Sequence, residues 1–317
     1  MTEASLEYHI TDNGNGILEK KVIQKFYIGS KYFYALQLQA SNKMNVVFSR
    51  GLLPTDGSNT VIMTDKMLLT NFGHSQTLEY YKDPIDGQDY FWVAMNNKNT
   101  PSSDEYWATQ IGKIQFVANT TLDYTQAPRL TNLVAANAKG KAPFSIARAD
   151  GALSSTPTAN RTDGGKQRLM FMTSNATDDK GSYQLSAYNV DTINAKLHAS
   201  ASGTVSCADL TSNLVSAYVQ KAGSFEVPNK SWQGLEFADD NSVYISGGHT
   251  GMTPKIMKGN WQFTKQQTVS SSDVDDIKDV ETEGIQLKGS KIYVGLEFHG
   301  NSDPHRVYSI SKSDFTF

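Results

Sequence analysis

The chain has 317 residues, of which 38% are hydrophobic and 19% charged, with 29 Lys and Arg against 32 Asp and Glu for a net charge of −3. That balance describes a folded globular chain rather than a disordered one. It offers no basic stripe for nucleic acid, no cationic helix that would disrupt membranes, and no apolar run approaching the ~18 residues of a transmembrane segment.

In chain order, MTEASLEYHITDNGNG lacks a positive start and an apolar stretch, so no signal peptide is visible. Within it SLEYHIT, Ser5 to Thr11, alternates like a strand, and DNGNG turns it. From Gln24 the chain reads QKFYIGSKYFYALQL: a polar start, alternation, a Gly-Ser turn and a second alternating run, which predicts a hairpin. MNVVFSRGLL follows as a third strand. A second copy begins at Gln76 with QTLEYYKDPIDGQDYFWVAM, crosses the polar loop NNKNTPSS and ends in EYWATQIGKIQF. A weaker copy, FSIARADG with its start taken at Ser145, is followed by QRLMFMTSN and SYQLSAYNV. DTINAKL and CADLTSNLVSAYVQ predict short helices in or beside an Ala/Ser/Thr-rich insertion at about 195–225, which holds Cys207. That single cysteine excludes an internal disulfide, and a lone cysteine in such a segment is usually inert. QGLEFADDNSVYISGG from Gln233 and EGIQLKGSKIYVGLEF from Glu283 repeat the hairpin, followed by PKIMKGNWQF and HRVYSISKSDF.

Antiparallel strands repeated radially are the signature of a β-propeller. Five copies give roughly 60 residues each, so the prediction is an all-β, five-bladed β-propeller forming one domain over 1–317. A sixth blade would have to hide in the insertion, and a β-sandwich would not need the same turn pattern several times over. The last copy supplies only three strands. SLEYHIT is therefore predicted to complete the last blade, antiparallel to the strand around Val307 to Ser311, where it covers an open edge.

Equivalent positions in radial repeats face the axis together. Gln24, Gln76, Gln233 and Glu283 are expected to ring one mouth of a channel, with His74 and Glu281 two residues upstream of their copies. Polar loops carry Asn96, Asn97, Asn175, His249 and His299 around that mouth, and Trp232 adjoins Gln233. Gln24, His74, Gln76, Trp232, Gln233, His249, Glu281, Glu283 and His299 form the predicted ligand-binding set, because amides, carboxylates and an aromatic face suit a sugar. The alternative is that the buried members hydrogen-bond one another and hold the blades together, while His249 and His299 lie exposed without partners. Glu79 and Glu236 alternate to the opposite side and read as packing residues. Glu281 and Glu283, on one strand, are too close in sequence to flank a glycosidic bond without a third group. No G-x-S-x-G elbow or H-E-x-x-H helix occurs, so no catalytic residue is expected. ATDDKG and ADDNS lack the spacing of a calcium loop, and neither metal nor cofactor is expected, calcium or magnesium held in the channel by Glu283 and neighbouring amides being the alternative.

The segments GSKYFYALQL, GHSQTLEYY, QAPRLTNL and YNVDTINAKL resemble the helveticin J family, the large heat-labile class III bacteriocins of lactobacilli. The likeness keeps the same order over most of the chain and is closest from Gly29 to Leu197. In the last two copies WQGLEF, VYISGG and VETEGIQL match mainly in pattern. The resemblance implies a secreted or released antibacterial protein whose partner is a component of the target-cell envelope, with a glycan as a reasonable ligand. A cell-wall glycoside hydrolase and a lectin-like adhesin without killing activity are the alternatives on the same scaffold.

Overall fold

The computed structural model of the chain describes residues 2–97, 105–155, 166–176, 181–220, 226–271, 274 and 277–317. Most of NNKNTPSS and ATDDKG, and the end of the 195–225 segment, fall outside these residues.

Strand β1 (Ser5–Thr11) precedes a series of meanders. The first contains β2 (Ile23–Ile28), β3 (Tyr32–Gln39), β4 (Asn42–Leu52) and β5 (Thr60–Thr70). The second contains β6 (Leu78–Lys82), β7 (Asp89–Asn97) and β8 (Ala108–Ile114). Its chain then makes β9 (Thr121–Asp123), parallel to β5, and β10 (Arg129–Thr131), antiparallel to β8. The third is β11 (Ile146–Leu153), β12 (Arg168–Asn175) and β13 (Tyr183–Asn189), followed by helix α1 (Val190–Ala199). After α1, β14 (Thr204–Ser206) joins β10 in parallel and β15 (Leu214–Gln220) closes the third meander against β13. The fourth is β16 (Gly234–Phe237), β17 (Val243–Gly247), β18 (Lys255–Gly259) and β19 (Gln266–Ser270). The last is β20 (Val280–Lys288), β21 (Lys291–Phe298) and β22 (His305–Ser311).

The fold is all-β, as expected. β1 pairs antiparallel with β22, from Ser5 opposite Ser309 to Ile10 opposite His305, which is the pairing predicted from SLEYHIT. Its other edge runs parallel to β5, with His9 opposite Thr60, so a single sheet joins the first and last meanders. The 195–225 segment is more integrated than an insertion: it supplies β14 and β15 to two neighbouring sheets. DTINAKL lies in α1, whereas LVSAYVQ is strand rather than helix.

The first strands of the meanders follow one another around a ring. β2 packs on β6, β6 on β11, β11 on β16, β16 on β20, and β20 on β2. Apolar residues fill the layer between each neighbouring pair of meanders. Phe48, Leu78 and Phe91 lie between the first and second, and Trp92, Leu169 and Phe171 between the second and third. Met170, Leu185 and Leu235 follow, then Tyr244, Ile285 and Phe298. Ile10 of β1 joins Phe26, Phe33 and Val307 in the last layer, so the N-terminal strand is part of the core. The result is a propeller-like ring whose inner strands all start at one end.

Candidate functional site

The side chains predicted to face the axis do meet there, although not as simple alternation would place them. Gln76 and Gln233 stand just ahead of β6 and β16. Gln24 and Glu283 sit at register shifts in β2 and β20, between Ile23 and Lys25 and between Thr282 and Ile285. A β-bulge adds one residue and re-aims its side chain, which explains how both reach the axis. The strands also approach closely. A Cβ on Gly284 would lie 2.8 Å from the Gln24 carbonyl oxygen, so only glycine fits between β20 and β2 at this level.

Gln76 is the hub. Its Nε2 donates to Gln24 Oε1 and Gln233 Oε1, both at 2.9 Å, and faces Glu283 Oε2 at 3.5 Å. Its Oε1 accepts from Arg148 Nη2, and the His74 ring bonds Gln24 Oε1. Arg148 is the axial residue of the third meander, again beside a register shift, between Ile146 and Arg148. The start assigned to Ser145 was three residues early, and Ser145 is exposed. An arginine in place of an amide or acid hides the repeat, although the alternating charges of Arg148 and Asp150 mark a paired position.

Arg148 is held on every side. Nε donates to Asp150 Oδ2 at 2.7 Å and Nη1 to the Trp232 carbonyl at 2.5 Å. The guanidinium lies between the rings of Trp107 and Trp232, 4.0 and 4.1 Å from their centroids. The His74 ring stacks on the other face of Trp107 at 3.9 Å. Trp232 is buried rather than presented at the rim as expected, and it stacks on Arg148 instead of offering a face for a ligand. Burial, with the Arg148 charge adding to it, pushes the His74 pKa down to about 3, so this imidazole is neutral. Glu283 is 1% exposed. Burial first, then Glu281 and Glu297, raise its pKa well above its usual value, with Arg148 opposing.

The remaining predicted residues lie at the rim. Glu281 pairs with His299 at 2.8 Å, so His299 is exposed but partnered. Thr250 reaches the same carboxylate at 3.5 Å, and the adjoining His249 is exposed with no side-chain partner among the described residues. Beside the axis, a cleft of ≈820 Å³ opens between residues 10–24 and 297–305, lined by Gln24, Lys20, Lys21, Glu297, His299 and His305. His305 Nδ1 lies 2.6 Å from Glu297 at its floor. Burial lowers the His305 pKa, but the Glu297 carboxylate outweighs it and the net shift is upward. Away from the axis, Asp83, Asp86 and His198 bring ligand atoms within 4.8 Å of one another. The Lys113 ammonium already bonds Asp83 and lies 2.5 Å from Asn194 Oδ1, so a protein cation fills that position.

A ring of meanders whose axis is closed by amides, a buried carboxyl and a stacked guanidinium defines a propeller-like protein with a polar, buried centre. The family model for bacteriocin helveticin-J matches residues 2–313, and the chain belongs to that family. Bacteriocin helveticin-J of Lactobacillus helveticus is 26% identical over 89% of this chain and 87% of its own length. Among solved structures, the tail fiber of Staphylococcus aureus phage P68 has a similar fold, with a TM-score of 0.51 at 16% identity over 98% of the chain. The chain spans 53% of that tail fiber, about half its length. The GH43 endo-arabinanase from Bacillus licheniformis gives a TM-score of 0.46 at 11% identity, over 92% of this chain and 95% of that one. Among the described residues, no helix is long and apolar enough to cross a membrane.

Proposed function

We propose that the meanders are the blades of a five-bladed β-propeller, forming one domain over 1–317. Its function is that of a secreted or released antibacterial protein that engages an envelope component of related bacteria. The family match over residues 2–313 carries this reading. Engagement occurs at the end of the ring where the inner strands begin, with a glycan as the ligand. The cleft there has the size of a small-ligand site and presents Gln24, Lys20, Lys21 and His299. Gln76, Gln233 and Glu283 lie behind that surface and fix its shape by meeting at the Gln76 side-chain amide, and Trp232 does so by stacking on Arg148. Glu281 positions His299 through their ion pair.

The test uses purified protein with isolated cell walls and with live cells of related bacteria. Sedimentation with walls, loss of viability and no release of reducing ends are the expected results. Released reducing ends would establish a hydrolase instead, and binding without death an adhesin. Failure to bind any envelope fraction would overturn the reading. Lys20→Ala with His299→Ala should weaken binding to walls at least several-fold while leaving thermal unfolding unchanged.

A further inference from the structure

At the far end of the same inner strands the ring opens into a second cavity of ≈530 Å³. Along β2 the order is Gln24, Lys25, Tyr27, so the chain passes from the axial amides to the floor of this cavity within four residues. Tyr27, Tyr80, Glu79, Glu236, Gln286 and Lys288 are among its lining residues.

Its floor is built around a lysine with no exposure to solvent. Lys25 Nζ donates to Glu236 Oε1 at 2.6 Å and to the carbonyls of Ile285 at 2.6 Å and Leu235 at 3.3 Å. Burial, and then the neighbouring Glu236, raise the Glu79 pKa well above its usual value, with Lys25 opposing. The Lys25 ammonium thus stands between the Glu236 and Glu79 carboxyl groups. A metal ion or an ammonium would have to displace Lys25, and an anion would meet the Glu236 carboxylate.

Two hydrogen-bonding groups are nevertheless under-satisfied. Glu79 is only 7% exposed, and its Oε1, 3.2 Å from Lys25 Nζ, receives no aligned hydrogen bond. The Tyr27 hydroxyl has no hydrogen-bond partner among the described residues. Its ring is held by stacking on Tyr80 at 5.8 Å and by edge contact with Phe91 at 5.7 Å. A buried acceptor left empty is unfavourable, and a tyrosine hydroxyl normally finds a partner. A group that can donate to the one and accept from the other without bringing charge is an alcohol. At the rim, Lys288 Nζ donates to the carbonyls of Ile28 and Gly29 at 3.1 and 2.9 Å, which leaves one of its three N–H groups for a ligand.

We propose that this cavity binds a neutral polyhydroxy ligand, a sugar residue or the end of a neutral glycan, with one hydroxyl donating to Glu79 Oε1 and accepting from Tyr27. The site is separate from the cleft at the opposite end and does not depend on the function proposed for it. The test is titration of the whole protein, labelled at its isoleucine and leucine methyl groups, with glucose, galactose, N-acetylglucosamine and rhamnose in turn, followed by NMR. At least one sugar should shift the methyl signals of Ile28, Leu153 and Leu287, which line the cavity. Tyr27→Phe removes a hydroxyl with no partner in the fold, so it should leave thermal unfolding unchanged and weaken that sugar by roughly threefold to tenfold. The proposal is overturned if no sugar moves these signals, or if Tyr27→Phe binds as well as the unaltered protein. It is equally overturned if the shifts fall on Ile10, Leu18 and Leu38, because those residues line the opposite cleft.

Discussion

Arg148→Met is the sharpest test of how the axis is held. Methionine keeps an apolar chain between Trp107 and Trp232 but removes the charge. The substitution deletes the bonds to Asp150, Gln76 and the Trp232 carbonyl, together with both ring contacts. It leaves Asp150, which has no solvent exposure, with only the Gln76 backbone N–H at 3.1 Å and the Thr77 hydroxyl at 3.2 Å. Stranding one member of a buried ion pair costs about 3–5 kcal/mol. That is a large share of the ~5–15 kcal/mol that holds a typical domain folded. Urea unfolding followed by tryptophan fluorescence measures the loss, since two of the flanking rings are indoles. The double substitution Arg148→Met with Asp150→Asn should recover much of it, because both charges are then gone. A single variant within about 0.5 kcal/mol of the unaltered protein, or a double variant no better than the single, would refute the reasoning.

Deleting residues 2–11 removes a strand paired on both edges and the buried Ile10 side chain, alone worth about 2–3 kcal/mol. The truncated protein should melt at a lower temperature in a single step, and unchanged melting would show that β1 does not hold the ring. His74 is neutral in the fold and has an ordinary value of 6.5 when unfolded, so the unfolded chain binds the extra proton between those values. Stability should therefore fall as pH drops from about 6.5 towards about 3, and His74→Gln should flatten that decline in denaturant titrations at stepped pH. Cys207 is buried, and burial pushes its thiol up, so a thiol reagent should label it only after unfolding.

The inner strands and hairpins were legible because half-buried strands alternate and their turns use Gly, Asp, Asn and Ser. The fourth strands were mostly invisible. β10 has three residues, and β19 is only partly covered, so neither needs an apolar face that a sequence pattern could reveal. At the axis the polar repeat pointed to Gln24, Gln76, Gln233 and Glu283, but bulges rather than alternation deliver two of them. Arg148 went unrecognised because the weak third copy was placed at Ser145. Lys25 was missed for a related reason. Glu79 and Glu236 do face away from Gln76 and Gln233, but nothing local reveals that a lysine from another copy lies between them. The partners that allow Lys25 to be buried lie more than fifty positions away, and a single copy does not record them.

Pairing β1 with both β22 and β5 also imposes an order of events on the ribosome. Glu7 and Ser309, 302 positions apart, hydrogen-bond across the finished sheet. At ordinary synthesis rates, the first of these strands waits roughly 15–60 s for the second to be made. β5 follows far sooner, and its parallel register with His9 to Thr11 offers β1 a place to dock during the wait. Such docking would keep an unpaired strand out of intermolecular pairing until the last hairpin arrives. A chain interrupted before β22 would then retain an exposed edge on which nascent copies can associate, so premature termination should yield aggregates rather than soluble fragments.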